Sequence, residues 1–163
     1  MMKPSIGIIC LVAGGVAIAS PVLAHDPPAA AAHSVKLPAA ARTAATTVDA
    51  FHAALHRGDT RSAAALLSDD AVIFESGGVE RSKAEYSAHH LGADAEFSQA
   101  IESKITSRTG NSAGTMAWIA SEGRTTGTYK GKALDIATTE TMVLRRTGRA
   151  WKIIHIHWSS GRE

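Results

Sequence analysis

The strongest constraint on the fold is a change in hydrophobic spacing along the chain. Residues 43–57 carry apolar side chains three or four positions apart, at Ala44, Val48, Phe51 and Leu55, which is helical spacing. Apolar and polar residues then alternate in four later segments separated by short turns, which predicts strands at 97–109, 115–129, 133–146 and 150–159. Because helices gather at the start and strands at the end, we predict an α+β domain whose antiparallel sheet curves over the helices.

Shorter elements fill the region between these two halves. Thr60 can cap a short second helix that reaches Leu67, and residues 71–75 then form a short strand. Ser82 is followed by Glu85 three positions later, which is the spacing of a capping box and predicts a third helix to about Leu91. The sequence therefore predicts three helices before the main sheet.

The first 24 residues have the pattern of a cleavable secretory signal. Lys3 supplies the basic start, residues 6–19 the apolar core, and residues 22–24 a small-residue cleavage site. The apolar run is shorter than the roughly 20 residues of a membrane-spanning helix. We therefore expect a periplasmic or secreted protein with no membrane attachment after cleavage. An Ala/Pro-rich linker at 25–41 and one domain at 42–163 would follow the signal.

Composition excludes several classes of function. The single cysteine, Cys10, lies within the predicted signal, so the mature protein would have neither disulfides nor thiolate metal sites. Removing Lys3 from the 17 lysines and arginines leaves 16 against 15 acidic residues. A nearly neutral chain without a dense basic stripe is not expected to bind nucleic acid.

Three motifs carry a resemblance to a known family. They are FHAALHRGD at 51–59, LLSDDAV at 66–72 followed by Glu75, and WKIIHIHWS at 151–159. With this order of elements, the chain resembles the nuclear transport factor 2-like superfamily, particularly its SnoaL-like and ketosteroid-isomerase-like bacterial members. The resemblance implies a cone-shaped sheet with a pocket at its open end, and a homodimer formed through the outer sheet face. Such members include isomerases, dehydratases and non-catalytic association domains, so it implies no single activity.

The last predicted strand supplies the most specific chemical signal. Strict alternation places Trp151, His155 and His157 on one face and Trp158 on the other. The two histidines would then lie about 7 Å apart along the strand. The resemblance implies that their face looks into the cone. We expect His155 and His157 to line the pocket and Trp158 to be buried in the dimer interface.

Other polar residues can join these histidines. Glu75 shares a strand face with Ile73, and the resemblance implies that its position lines the pocket. Tyr86 and His90 lie four residues apart on one side of the third helix, and His89 points elsewhere. The candidate catalytic residues are His155, His157, Glu75, His90 and Tyr86. Glu140, which shares a strand face with Thr138 and Met142, can also join them. His52 is expected on a partly exposed face of the first helix.

Three functions are compatible with this cluster. In the first, histidine moves a proton on a small carbonyl compound, Glu75 orients it or acts as base, and Tyr86 donates to an oxyanion. In the second, His155, His157 and His90 bind zinc or copper. In the third, the pocket binds a small organic ligand without catalysis. The sequence leaves these alternatives open.

Overall fold

The computed structural model of the protein describes residues 35–161. The predicted signal at 1–24 and most of the predicted linker lie outside the described residues. Helix α1, Ala39–His56, presents the predicted apolar face to the core. It begins within the predicted linker, and Ala41 is fully buried. The alanine run after Pro38 favours helix, which explains why the folded unit starts before residue 42.

A second short helix leads directly into the sheet. Helix α2, Thr60–Leu66, is capped by Asp59, whose Oδ1 accepts the Ser62 N–H at 3.0 Å. The cap is therefore one residue earlier than predicted. Strands β2, Leu67–Glu75, and β3, Gly78–Glu80, follow as an antiparallel hairpin.

Two helices, where the sequence predicts one, lie between β3 and the main sheet. Helix α3, Lys83–His89, begins with the predicted cap, because Ser82 Oγ accepts the Glu85 N–H at 3.0 Å. Helix α4, Leu91–Ala100, was not predicted, and it occupies residues 97–100 that were assigned to a strand. The segment has three alanines and no β-branched residue, a composition that favours helix over strand.

The sheet is a long meander extended at both edges. Strands β4, Ile101–Ala113, β5, Met116–Tyr129, β6, Lys132–Thr147, and β7, Ala150–Gly161, pair antiparallel in sequence order. A short strand β1, Val35–Lys36, adds parallel to β4, and β2 adds parallel to β7. The full order is β1-β4-β5-β6-β7-β2-β3. The predicted α+β class and curved sheet are confirmed, with two parallel pairings at the flanks.

One extra residue in β7 decides which side chains face the helices. Leu144 pairs with Ile153 and Val143 with His155, so Ile154 has no partner of its own on β6 and forms a bulge. Alternation restarts beyond the bulge, which leaves Ile153 and Ile156 both fully buried.

No helix among residues 35–161 is long and apolar enough to cross a membrane.

Candidate functional site

A row of polar side chains crosses the inner face of the sheet. Register places one residue from each of five neighbouring strands side by side: Arg108, Ser121, Glu140, Trp158 and Glu75. We call these five residues the polar row. Paired residues of neighbouring strands point to the same face of a sheet, and the strands lie about 4.8 Å apart. Glu140 and Glu75 are thus two strands, or about 10 Å, apart along the row.

The polar row borders an apolar layer on one side and a cavity on the other. Two positions away along each strand, Ile73, Ile156, Met142 and Ile119 are buried in the core. The cavity has a volume of about 610 Å³ and is lined by all five residues of the polar row. Small-molecule sites typically have volumes of about 300–1,000 Å³. The cavity is therefore large enough for an organic ligand.

Glu140 is the best-connected carboxylate of the polar row. It is 9 % exposed, and its Oε2 accepts hydrogen bonds from His52 Nε2 at 2.6 Å and Trp158 Nε1 at 2.8 Å. Burial by itself would raise the pKa of Glu140. The hydrogen bonds and the charges of His52 and Arg108 outweigh burial and hold the pKa below its usual value. Glu140 is therefore ionised at neutral pH.

Arg108 carries the positive charge at the other end of the row. Its side chain is 6 % exposed, and Nη1 donates to Asp49 Oδ1 at 2.5 Å while Nε donates to Ser121 Oγ at 3.0 Å. Asp49 and His52 both lie on α1, so one helix supplies partners to both buried charges of the polar row, Arg108 and Glu140. Ion pairs and hydrogen bonds between α1 and the sheet therefore line this end of the cavity.

Glu75 and Asp94 are two further carboxyl groups that line the cavity. Partial burial and the nearby Asp94 charge raise the pKa of Glu75, and His90 opposes the shift. Burial also raises the pKa of Asp94, although Tyr86 and His90 act against it. Both side chains line the large cavity. In both groups the surroundings therefore favour the protonated form more than water does.

Tyr86 fixes Asp94 in place. The tyrosine is 1 % exposed, and its hydroxyl donates to Asp94 Oδ2 at 2.7 Å. Burial and the charge of Asp94 raise the pKa of Tyr86 far above its usual value, so the hydroxyl keeps its proton. Tyr86 lines a smaller cavity of about 150 Å³ with Glu75, Glu80 and His90. Tyr86 therefore contacts Asp94 and does not line the large cavity.

The predicted site residues separate into two groups. Glu75, Tyr86 and His90 come together around the smaller cavity, and Glu75 also reaches the large one. His90 Nδ1 donates to Glu80 Oε1. His90 lines this smaller cavity, and neither His89 nor His90 lines the large one.

The predicted position of His155 and His157 is wrong. The bulge at Ile154 turns both to the outer face of the sheet, and neither lines a cavity described here. His155 Nδ1 donates to the Val72 carbonyl at 2.8 Å, and both rings meet the exposed Phe74 edge-on. Neither histidine is therefore placed to act on a ligand in the cavity, nor do they join His90 as metal ligands.

Trp158 takes the reverse position. It was predicted on the outer face, but it lies on the inner face within the polar row. Its indole stacks on Phe51 of α1, with ring centroids 6.3 Å apart. The same bulge explains both corrections, because it shifts the alternation of β7 by one residue.

Sequence reasoning missed four residues of the site. His52, Asp49, Asp94 and Arg108 come from helices and strands far apart in the chain; His52 and Glu140 are 88 positions apart. No local pattern joins them. The available signal was indirect: Glu140 falls on an inward face of β6, where a buried carboxylate requires partners.

The sequence agrees with this architecture. Residues 44–163 match the family described as SnoaL-like domain. The chain belongs to this SnoaL-like family. The match covers every residue of the polar row and α1 from Ala44 onward, so the cavity is part of the SnoaL-like domain itself.

Solved structures of several other bacterial proteins have the same fold. A Shewanella frigidimarina protein provisionally described as a ketosteroid isomerase is 34 % identical, with a TM-score of 0.71, over 76 % of this chain and 100 % of that one. A Xanthomonas campestris protein provisionally described as a calcium/calmodulin-dependent protein kinase II association domain is 28 % identical, with a TM-score of 0.64, over 78 % and 94 %. A Streptomyces avermitilis protein provisionally described as a dehydratase is 18 % identical, with a TM-score of 0.62, over 76 % and 98 %.

A search of curated proteins finds no match for the SnoaL-like chain. The solved relatives carry descriptions of an isomerase, a dehydratase and an association domain. The family therefore establishes the fold, and the activity has to be argued from the site.

Proposed function

We propose that this SnoaL-like domain binds an elongated, mainly apolar carbonyl compound and moves a proton on it, as an isomerase does. The observation that carries the proposal is the pair of carboxyl groups, Glu75 and Asp94, with raised pKa values at the wall of a 610 Å³ cavity. A carboxyl group transfers protons best when its pKa lies near the working pH. The similarity to the Shewanella protein, at 34 % identity, supports this class of chemistry.

The two carboxyl groups have different roles in this proposal. Glu75 retains solvent access and acts as the base that takes a proton from the carbon beside the carbonyl. Asp94 is more buried, and the Tyr86 hydroxyl holds one of its oxygens. Asp94 supplies the nearby negative charge that raises the pKa of Glu75, which makes Glu75 a stronger base. Tyr86 is a positioning residue for Asp94.

The opposite end of the polar row selects the ligand. Ionised Glu140 and its partner His52 lie about 10 Å from Glu75 along the row, by strand spacing. Apolar side chains including Phe97, Ile101 and Ile136 line the cavity around the row. The arrangement suits a ligand with polar groups near both ends of an apolar body.

Proton abstraction can be tested without knowing the natural substrate. A panel of cyclic ketones, steroid ketones included, is incubated with the protein in D₂O, and deuterium entering beside the carbonyl is measured by NMR. We expect exchange above the buffer rate with the unaltered protein, and a loss of about 100-fold or more in Glu75→Gln. Glu96→Gln, an exposed residue of α4, should retain full exchange. Equal exchange by the two variants would contradict the proposal, as would no exchange with any ketone.

We also propose that the protein forms a homodimer through the outer sheet face. Trp118 and Phe74 are 42 % and 40 % exposed there, and register places Trp118, Val143 and His155 in one line across three strands. An exposed apolar patch of this kind is typical of an interaction surface. Sedimentation should show a dimer that Trp118→Glu converts to a monomer. A monomer at micromolar concentration without the substitution would contradict the interface.

We propose, finally, that the domain works outside the cytoplasm. The support is the signal pattern of residues 1–24, which lies outside the described residues. Mass spectrometry of the accumulated protein should give a chain that starts at His25. An intact N-terminus at Met1 in fractionated cells would overturn cleavage and export by this route.

A further inference from the structure

Three side chains of metal-ligating types lie where β3 joins α3, beside the smaller cavity. Glu80 is the last residue of β3, and Glu85 and His89 lie four positions apart on α3. Residues at this spacing share one face of a helix. The ligand atoms of the three side chains lie within 4.8 Å of one another. The Ser82 cap begins α3 two residues after Glu80, which brings strand end and helix face together.

One carboxylate oxygen of Glu80 is buried without a hydrogen-bond partner among the described residues. Its side chain is 8 % exposed, and Oε1 accepts a hydrogen bond from His90 Nδ1. The other oxygen, Oε2, is buried with no hydrogen-bond partner among residues 35–161. His89 Nδ1 lies 3.5 Å from it, beyond ordinary hydrogen-bond distance. A buried, unpaired carboxylate oxygen costs free energy that a bound cation would recover.

We propose that Glu80, Glu85 and His89 bind a zinc ion. One imidazole nitrogen and two carboxylate oxygens are ligands that zinc accepts, usually with water in a fourth position. Zinc ligands at about 2.1 Å from the ion lie about 3.4 Å apart, so ligand atoms within 4.8 Å of one another must close in by at most about 1.4 Å. The exposed His89, at 59 %, has room for this rotation and leaves a side open for water.

Hydrogen bonds from neighbouring groups orient both carboxylates, as is usual for metal ligands. The Arg81 N–H donates to Glu85 Oε2 at 2.7 Å, and His90 holds Glu80. Such second hydrogen bonds orient metal ligands. The nearby cation Lys83 is engaged by Asp69, so it does not take the place of a metal at Glu80.

Zinc titration of the untagged protein, followed by calorimetry, tests the site. We expect one zinc per chain, and binding more than about ten-fold weaker in His89→Ala and in Glu85→Gln. His157→Ala removes an equally available histidine from the outer sheet face and should leave binding unchanged. Cobalt substituted for zinc should give the intense visible absorption of a four-coordinate site, and His89→Ala should abolish it.

Two results would overturn the zinc site. One is the absence of zinc binding by the unaltered protein. The other is equal zinc affinity in His89→Ala and the unaltered protein, which would place the metal elsewhere in the chain. Both variants alter side chains with solvent access at α3, and circular dichroism checks that they fold. Ketone exchange is measured separately, so failure of the zinc site would leave the proposed proton transfer standing.

Discussion

At the residue scale, the surroundings of the carboxyl groups shift their pKa values in opposite directions. Glu140 accepts hydrogen bonds from His52 and Trp158 and stays ionised. Asp94 and Glu75 lack comparable support, so burial raises both pKa values, helped by the charge of Asp94 at Glu75 and by the charge of Glu80 at Asp94. Environments that push carboxyl pKa values apart are typical of acid–base sites. The contrast gives stability predictions of opposite sign.

Asp94→Asn should stabilise the protein at neutral pH. Because the folded pKa of Asp94 is raised, its contribution to stability is fully present below the unfolded value of about 3.9 and is lost as pH rises through the folded pKa. The amide carries no charge and still accepts the Tyr86 hydrogen bond. Each kcal/mol gained raises Tm by about 4 °C in a domain of this size. Thermal unfolding at pH 7 and pH 3.5 measures the effect.

The control is Asp69→Asn, which alters a side chain that is 91 % exposed. It should leave the difference between the two pH values almost unchanged. The prediction would be contradicted by a lower Tm for Asp94→Asn at pH 7 when fluorescence shows that Tyr86 is still buried. That result would mean that the charge of Asp94 stabilises the folded protein.

Glu140→Gln should have the opposite effect. The folded pKa of Glu140 is lowered, so its charge contributes stability above the unfolded pKa of about 4.3, and this is lost as pH falls through the folded value. We expect a loss of about 1.5–3 kcal/mol at pH 7, the range for hydrogen bonds to a charged group. The loss should shrink in acid. Urea unfolding across pH gives the profile, and a loss independent of pH would argue against an ionised Glu140.

At the element scale, local patterns predicted most elements, and long-range packing decided the rest. The helical spacing of α1, the Ser82 cap and the four-strand meander were all readable in the sequence. The bulge at Ile154 was not, because it depends on how β7 pairs with β6, and alternation alone carries no mark of it. That one residue moved His155 and His157 out of the expected site.

Close approach of neighbouring backbones also constrains the strands. A Cβ on Gly110 of β4 would lie 2.6 Å from the Trp118 carbonyl oxygen and 2.8 Å from Ile119 Cδ1. Gly110→Ala should therefore cost about 1–3 kcal/mol in the free energy of unfolding, as overpacking does. Gly92→Ala in α4 is the matched control, since its Cβ meets nothing within 4 Å and alanine favours helix by about 0.5–1 kcal/mol. Urea unfolding compares the two, and equal stabilities would contradict the close packing.

At the scale of the whole molecule, the sheet separates two surfaces with different chemistry. The inner face carries the polar row and the 610 Å³ cavity, and the outer face carries Trp118, Phe74 and the two displaced histidines. The family resemblance implied a pocket on the inner face and a dimer interface on the outer face, and the fold itself is confirmed. It could not indicate which polar residues meet in the cavity, because His52, Glu140 and Asp94 meet only after the helices pack into the sheet.

The central claim is that Glu75 takes the proton and that the charge of Asp94 raises its pKa. The pH dependence of ketone deuterium exchange tests this directly, measured for the unaltered protein and Asp94→Asn. Exchange should rise with pH as Glu75 ionises, at a value above the usual carboxyl pKa of about 4.3. In Asp94→Asn, overall exchange should be slower and its rise should move to lower pH. A rise at the same pH in both proteins would contradict the account.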